Sequence, residues 1–415
     1  QYDLAGRLLT QSIGTESLSY TYDAAGNLKT QQIHTIDANY NYDALHRLDD
    51  VDYPGLGSTI DYTYDANGNR IRAVFDQPVT FAYAPASNRM TQIDSTPVML
   101  DASGNTLFAA GRTHAYNSQG RLTVTNNSVN GLTTVTSHDV WGRRIHKIVN
   151  DAQDPVSTTV FHYDLAGQLI AETDITGNAI RNYIWQGSEP IAQQTPDQSG
   201  LVYLHTDHVG TPRLATDTNG TIVWRWLSSP FGNLAPVADP DDNGQLTTVN
   251  LRLPGQYFDN ETGLHYNYKR YYDPHTGRYL TSDPIGLDGG LNTYLYANAN
   301  PVRYIDPMGE SAVAGVLPFA GGAAAADGPL PIGDLIALGL LGGAAIYDMC
   351  TESDEEREER CEENLKRDLE TCKALGKRGG KAAYRVCEQQ AMLRYSNCLA
   401  GRDDGAPLPP WGDTY

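Results

Sequence analysis

The chain has 415 residues and a formal net charge of −20, and it is rich in Gly, Asn, Thr and Tyr. Its length is enough for two or more domains with a sizeable core. The acidic balance argues against a general nucleic-acid or anionic-membrane surface, because phosphate binding needs clustered Lys and Arg.

A Tyr-Asp motif recurs along the first half of the chain. Its early copies begin at Tyr2, Tyr22, Tyr42 and Tyr64, and the first three are 20 residues apart. An alternating apolar–polar run precedes the second copy over residues 17–22, which is typical of a half-buried strand. The Asp-x-x-Gly part then turns the chain, with Gly at a position of positive φ. Residues 1–250 are therefore predicted to form a long β-meander.

A meander of this kind must stack neighbouring hairpins, because no single hairpin buries its own apolar face. From the pattern alone, a sheet that curls and closes and an open solenoid or stalk remain alternatives. The repeat aspartates lack the alternation of a calcium loop, so they are interpreted as turn residues. We also note that Gln1 already lies within a repeat, which favours a fragment of a longer protein.

Two polar and aromatic clusters precede the next segment. His205, Asp207 and His208 lie within four residues, but no nearby His or Cys completes a zinc set. Turn and packing roles are favoured for them, and no metal or cofactor is predicted. Trp224 and Trp226 share a face of a strand and are expected to fill the core.

Residues 251–310 are dense in turn chemistry, and two of their stretches are distinctive: RYYDPHTGRYLTSDPIGLDGG and NTYLYANANPVRYIDPMG. These motifs resemble the RHS repeat-associated core domain of bacterial polymorphic toxins. They are also similar to insecticidal toxin-complex C subunits and to teneurin-type YD shells. The resemblance implies a mostly β fold, in which a spiralled YD-repeat shell or cocoon is closed by the core domain. A small α-helical C-terminal domain would follow.

Two aspartates of this segment are candidates for chemistry. Asp283 and Asp306 both open Asp-Pro turns and are 23 residues apart. Peptide hydrolysis by carboxylates needs two of them at close range, where like charge raises one pKa and keeps a shared proton. Plain turn roles are the alternative. The resemblance assigns the pair to an aspartyl autoprotease, and we expect Arg278 to orient one carboxylate.

The same resemblance implies a cut just after the Asp-Pro-Met-Gly motif. The predicted cleavage region is Gly309, Glu310 and Ser311. In the family an apolar residue usually follows this motif, whereas here Glu310 does. The cut is therefore expected within a few residues after Gly309.

Residues 311–349 are apolar and rich in Gly, Ala and Pro. Each apolar half is shorter than the roughly 20 residues that span a bilayer. A linker held against the shell is favoured, because Asp334 and the prolines weaken a membrane interpretation. Membrane contact by residues 311–347 as a hydrophobic hairpin is the alternative.

Residues 350–415 hold all five cysteines and no histidine. Several cysteines are eleven residues apart, about three helical turns, which predicts two antiparallel helices with sulfurs on one face. The predicted disulfides are Cys361–Cys398 and Cys372–Cys387, with Cys350 left over. Zinc binding by these cysteines is the alternative, but ligands eleven residues apart do not fit a zinc knuckle. Without histidine, HNH-type nuclease chemistry is excluded.

The resemblance, taken with these features, implies an exported bacterial toxin-delivery module. Its expected partners are its own C-terminal payload, an immunity protein and a secretion or delivery machinery, with no nucleic acid. The alternative is a cell-surface structural, adhesive or carbohydrate-binding YD-repeat protein with an uncleaved tail. Both place the protein outside the cell or on its surface.

Overall fold

The computed structural model describes residues 1–14, 16–151, 157–196, 200–227 and 229–314, and residues 366, 367 and 373. The chain divides into two units, Gln1–Asp327 and Gly328–Tyr415. The predicted linker beyond residue 314, the predicted disulfides of Cys361, Cys398, Cys372 and Cys387, and all of the predicted helical hairpin except residues 366, 367 and 373 lie outside the described residues. Within the described residues, no helix combines the length and apolar character needed to cross a membrane.

The described part of the first unit consists of antiparallel sheets whose strands pair in chain order. The first sheet has ten strands: β1 (Thr10–Ile13), β2 (Glu16–Tyr22), β3 (Leu28–Ile33), β4 (Ile36–Tyr42), β5 (Leu48–Tyr53), β6 (Ser58–Tyr64), β7 (Arg70–Val74), β8 (Pro78–Tyr83), β9 (Met90–Ile93) and β10 (Thr96–Pro97). The second sheet has thirteen: β11 (Met99–Leu100), β12 (Thr106–Ala109), β13 (Arg112–Tyr116), β14 (Leu122–Asn127), β15 (Leu132–His138), β16 (Arg144–Asn150), β17 (Ser157–Tyr163), β18 (Leu169–Thr173), β19 (Ala179–Gln186), β20 (Glu189–Gln194), β21 (Leu201–Thr206), β22 (Pro212–Thr216) and β23 (Ile222–Arg225). The predicted mostly β meander is confirmed.

Two small sheets follow the repeats. The third sheet contains β24 (Tyr257–Asp259), β25 (Leu264–Asn267), β26 (Arg270–Asp273) and β27 (Arg278–Tyr279). The fourth is a hairpin of β28 (Tyr304–Ile305) and β29 (Val313–Ala314). Short 3-10 turns occupy Pro54–Leu56, Gly286–Gly289 and Ala297–Ala299.

The Tyr-Asp motif works as a clamp and a turn. Oδ1 of Asp23 accepts the amide of Asn27 at 2.8 Å, and Gly26 adopts a φ of 83° that favours glycine. The hydroxyl of Tyr22 donates to the carbonyl of Leu8, one hairpin earlier, at 2.8 Å. The same clamp, at 2.7 to 2.8 Å, is made by Tyr42, Tyr83, Tyr116 and Tyr163. In these five copies the tyrosine hydroxyl therefore ties the end of its strand to the start of the preceding strand, whereas the hydroxyl of Tyr64 makes no such bond.

Alternating side chains of the strands form the core. In β2, Leu18 and Tyr20 are buried while Thr21 is exposed. Trp224 and Trp226 are fully buried with ring centroids 6.5 Å apart, as expected.

The segment after the repeats binds the turns of successive repeats through its side chains. Four of them donate hydrogen bonds: Arg303 to Asn27, Asn300 to His46, Asn292 to Asn69 and Tyr294 to Gly104. The distances lie between 2.7 and 2.9 Å. These contacts attach residues 292–303, which lie between Asp283 and Asp306 in the chain, to the turns of the array.

Candidate active site

One face of the third sheet carries the polar groups of the site. Arg270 lies opposite Asn267 across β25 and β26, and Tyr279 lies opposite Tyr272 across β26 and β27. Residues two apart on a strand share a face, and so do directly opposed residues. Asn267, Arg270 and Tyr279 therefore point to the same side, and all three are buried.

Arg270 joins both predicted aspartates. Its Nη2 lies 2.8 Å from Oδ2 of Asp283 and 3.2 Å from Oδ2 of Asp306. Its Nε donates to the carbonyl oxygen of Gly309 at 2.6 Å. The guanidinium also lies over the ring of Tyr279, with Cζ 3.6 Å from the centroid. A single buried cation thus links the two carboxylates to the predicted cleavage region.

Asp306 receives hydrogen bonds on both carboxylate oxygens. Oδ2 accepts from the hydroxyl of Tyr279 at 2.7 Å. Oδ1 accepts the backbone amides of Glu310 at 2.9 Å and of Ser311 at 3.2 Å. The residues after the Asp-Pro-Met-Gly motif therefore return to the carboxylate that opens it.

Glycine is required at two places around this loop. Gly309 has a φ of 66°, and a Cβ there would collide with the carbonyl of Asn267. A Cβ on Gly289 would lie 2.5 Å from Oδ2 of Asp283 and 2.6 Å from the carbonyl oxygen of Glu310. Because Gly289 has no side chain, the carboxylate of Asp283 and the carbonyl oxygen of Glu310 can both lie next to it.

Burial raises the pKa of Asp283 to about 6. The charge of Arg270 and the amide of Ile285 lower this pKa, and the negative charges of Asp306 and Glu310 raise it. The net effect lets the carboxyl hold a proton close to neutral pH, as a proton donor in hydrolysis must.

The expectation that Arg278 orients a carboxylate of the pair is wrong. Its Nη2 donates to the carbonyl of Asn88 at 2.5 Å, and its guanidinium lies over the rings of Tyr83 and Tyr294. Arg278 precedes Tyr279 by one residue and so projects from the opposite face of the sheet. Arg270, and not Arg278, contacts the two carboxylates.

The histidine and aspartate cluster of the repeats lies in a turn and its flanking strand. Oδ1 of Asp207 accepts the amides of Val209 and Thr211, both at 3.0 Å, and Oδ2 pairs with Arg213 at 2.8 Å. Nε2 of His208 contacts the carbonyl of Val302 at 2.7 Å. Across the residues that the structure describes, no three His, Cys, Asp or Glu side chains are grouped to hold a metal ion.

The clamped turns and antiparallel meander define a YD-repeat β protein. The family model described as teneurin YD-shell matches residues 7–302, more than half of the chain. The chain therefore belongs to the teneurin YD-shell family, and the resemblance inferred from its motifs is confirmed.

Several relatives are toxins by name. Double-stranded DNA deaminase toxin A of Burkholderia cenocepacia is 30% identical over 263 residues, covering 61% of this chain and 16% of that protein. Toxin protein Tse5 of Pseudomonas aeruginosa is 39% identical over 112 residues, covering 27% of this chain and 8% of that protein. The matched regions are thus a small part of these relatives.

The solved structure titled "Crystal Structure of TcdB2-TccC3" has the same fold. It superposes with a TM-score of 0.59 at 22% identity, covering 74% of this chain and 18% of that one. At this identity the likeness concerns the fold alone.

Proposed function

We propose that the chain belongs to a polymorphic toxin whose YD-repeat shell encloses a C-terminal effector and frees it by aspartate-dependent self-cleavage. One observation carries the proposal. Arg270 connects Asp283 and Asp306 to the carbonyl of Gly309, directly after the Asp-Pro-Met-Gly turn. Lys147 likewise pairs with two carboxylates, those of Asp259 and Glu261. The site at Arg270 differs because the same guanidinium also contacts the carbonyl oxygen of Gly309 in the predicted cleavage region.

The chemistry we propose is hydrolysis of one of the two peptide bonds that flank Glu310. Asp306 takes a proton from a water molecule, whose oxygen attacks the carbonyl carbon. Arg270 stabilises the developing oxyanion, and Asp283 supplies the proton that the leaving nitrogen needs. Both flanking nitrogens donate to Oδ1 of Asp306, so either bond lies beside the carboxylates.

The domain boundaries follow from this proposal. Residues 1–250 form the shell, and residues 251–310 form the core domain that closes it and carries the cut. Residues 311–349 link the shell to an effector at residues 350–415. Closure is supported by the hydrogen bonds from residues 292–303 to the turns of successive repeats.

Export and partner proteins are also part of the proposal. The names of the matched toxins support a protein exported from a bacterium, with a delivery machinery and an immunity protein as partners. The effector itself is assigned no target.

Asparagine substitutions test the proposal with a matched control. Asp283→Asn and Asp306→Asn should each leave a single band on a denaturing gel. The unaltered chain and Asp288→Asn, which changes an exposed aspartate in the neighbouring 3-10 turn, should give two. Normal cutting in either Asp283→Asn or Asp306→Asn would exclude the carboxylate pair.

The second candidate is a surface structural or adhesive protein with an uncleaved tail. The match of residues 7–302 to the teneurin YD-shell model is the observation that favours it. A single full-length band that persists in the unaltered chain would support this candidate.

A further inference from the structure

A small cavity lies where the repeat array meets the turn that joins β26 to β27. Tyr64 at the end of β6 and Arg70 at the start of β7 line it from the array, and Gly277 and Arg278 line it from the turn. Its volume is about 10 Å³, roughly the room that one water-sized occupant needs. The cavity therefore suits a monatomic ion or one water molecule, and it is too small for sulfate or phosphate.

Arg70 is buried, and the groups packed around its guanidinium are uncharged. Its Cζ lies 3.8 Å from the ring centroid of Phe231 and 4.6 Å from that of Tyr62, and a Cβ added to Gly277 would collide with its Nη2. Its Nε and Nη1 have no hydrogen-bond partner among the described residues. Because the guanidinium stays protonated and an uncompensated buried charge is costly, these two N–H groups require an acceptor.

The hydroxyl of Tyr64 supplies a third donor. At the same place in their motifs, Tyr22, Tyr42 and Tyr83 donate to a carbonyl of the preceding strand. The hydroxyl of Tyr64 is buried and has no partner within the part of the chain that the structure describes. Burial raises the pKa of Tyr64 to about 12, although the positive charge of Arg70 lowers it, so the hydroxyl keeps its proton. The clamp tyrosine of this repeat is thus available as a donor beside Arg70.

The two charged side chains that line the cavity are both cationic. Arg278 donates through Nη2 to the carbonyl of Asn88, which is a neutral acceptor. Asp273 lines a neighbouring cavity together with Arg278, but its carboxylate is paired with Arg112 at 2.8 Å. Among the described residues that line the cavity itself, none carries a carboxylate. The positive charge of Arg70 and Arg278 is therefore left to be balanced by something other than these side chains.

We propose that this cavity binds a small monovalent anion such as chloride, which joins the array to the turn between β26 and β27. Nε and Nη1 of Arg70 and the hydroxyl of Tyr64 donate to the anion, and Arg278 supplies a second positive charge. Charge-assisted hydrogen bonds of this kind are about twice as strong as neutral ones. A water molecule would accept from the same donors but would leave both positive charges uncompensated. The anion holds the sheet that carries Arg270 against the array, whether or not the chain is cut.

The chloride dependence of thermal unfolding tests the proposal on the whole chain. The unfolding midpoint is measured in mixtures of sodium chloride and sodium gluconate at constant ionic strength, because gluconate is too large for the cavity. A ligand that binds only the folded state stabilises it in proportion to the logarithm of its concentration above its Kd, and has little effect below it. We expect the midpoint to rise by about 2 °C as chloride replaces gluconate. A midpoint that does not depend on chloride would overturn the proposal and leave water as the acceptor.

Two pairs of variants separate the anion site from general effects of salt. Tyr64→Phe removes a donor that makes no clamp, so the chloride concentration at which the midpoint begins to rise should increase about tenfold or more. Tyr22→Phe loses a clamp at 2.8 Å and should lower the midpoint at every chloride concentration without changing that threshold. Arg70→Met should abolish the chloride dependence, whereas Arg72→Met, which changes an exposed residue of the same strand, should keep it. Equal chloride dependence in Arg70→Met and Arg72→Met would contradict the site.

Bromide located by anomalous X-ray scattering decides the question without any variant. Crystals of the unaltered protein are soaked in sodium bromide, since bromide replaces chloride and scatters anomalously. The proposal predicts an anomalous peak in the cavity, in contact with Arg70 and Tyr64. Bromide peaks on the protein surface with none in this cavity would overturn the proposal, even if Arg70→Met fails to fold.

Discussion

The hydroxyl of Tyr279 donates to Oδ2 of Asp306 over 2.7 Å. Burial raises the pKa of Tyr279 well above its ordinary value, so the hydroxyl keeps its proton. The tyrosine therefore acts as a permanent donor that holds one oxygen of Asp306, while the other faces the cleavage region.

Removing this donor should slow the cut. Tyr279→Phe loses one hydrogen bond to a charged group, about 1.5 kcal/mol or roughly tenfold in rate if it is kept in the transition state. The fraction cut is followed on a denaturing gel. Tyr22→Phe, which removes a repeat clamp at 2.8 Å, is the control and should lower stability but not the cutting rate. Equal rates in the two variants would contradict this role.

Arg270 should be essential, and Arg278 should not. Arg270→Gln removes the shared cation and leaves two buried carboxylates unpaired, which costs about 3–5 kcal/mol of stability and should abolish the cut. Arg278→Gln loses its bond to Asn88 and its ring contacts on the other face of the sheet, so it should still be cut. Intact cleavage in Arg270→Gln, measured in a chain shown to be folded by circular dichroism, would disprove the assignment.

Gly289→Ala should stop or strongly slow the cut while the fold persists. The added methyl group would press on both Oδ2 of Asp283 and the carbonyl of Glu310, and a small displacement of reacting groups is costly in rate, about a hundredfold for 1 Å. Gly55→Ala is the control, because nothing lies within 4 Å of its added Cβ. Unchanged cutting in Gly289→Ala would show that Glu310 and Asp283 need not meet.

The cutting rate should fall as pH rises through about 6, the pKa of Asp283. The raised pKa means that the folded state keeps this carboxyl protonated above the ordinary aspartate range, and ionisation then removes the proton donor. We expect about a tenfold loss per pH unit above this value. The slowed Tyr279→Phe precursor, made by cell-free synthesis and exchanged into buffers between about pH 5 and about pH 8, allows the measurement. A rate that rises with pH would instead make Asp283 a base.

The free energy of unfolding should also depend on pH through Asp283, and it should fall as the pH rises. Because the folded-state pKa of Asp283 is raised, the carboxyl stabilises the fold below the ordinary aspartate pKa of about 3.9. That contribution is lost as pH rises to about 6. In the uncut Asp306→Asn background, adding Asp283→Asn should therefore flatten the pH dependence of the denaturation midpoint in this window. An unchanged slope would contradict the raised pKa.

The repeat fold could be predicted because short stretches of the sequence determine each turn and each strand. A typical Tyr-Asp motif carries its own turn and its own clamp within about twenty residues, as the turn of Asp23 and the bond from Tyr22 to Leu8 show. Alternation within each strand then decides which side chains are buried. The meander therefore follows from short-range patterns without knowledge of how the sheets pack.

The site was predicted only in part because it depends on strand register. Asp283 and Asp306 were identified from their motifs, but the choice between Arg270 and Arg278 depends on which face each occupies. The pairing of Tyr272 with Tyr279 decides it, and that register appears only in the folded sheet.

The intact mass of the purified, unaltered chain tests the central claim most directly. The account predicts two polypeptides whose masses add up to the 45.3 kDa chain plus one water, divided on one side or the other of Glu310. Asp283→Asn should restore a single mass. A single 45.3 kDa species in the unaltered, folded protein would contradict the account.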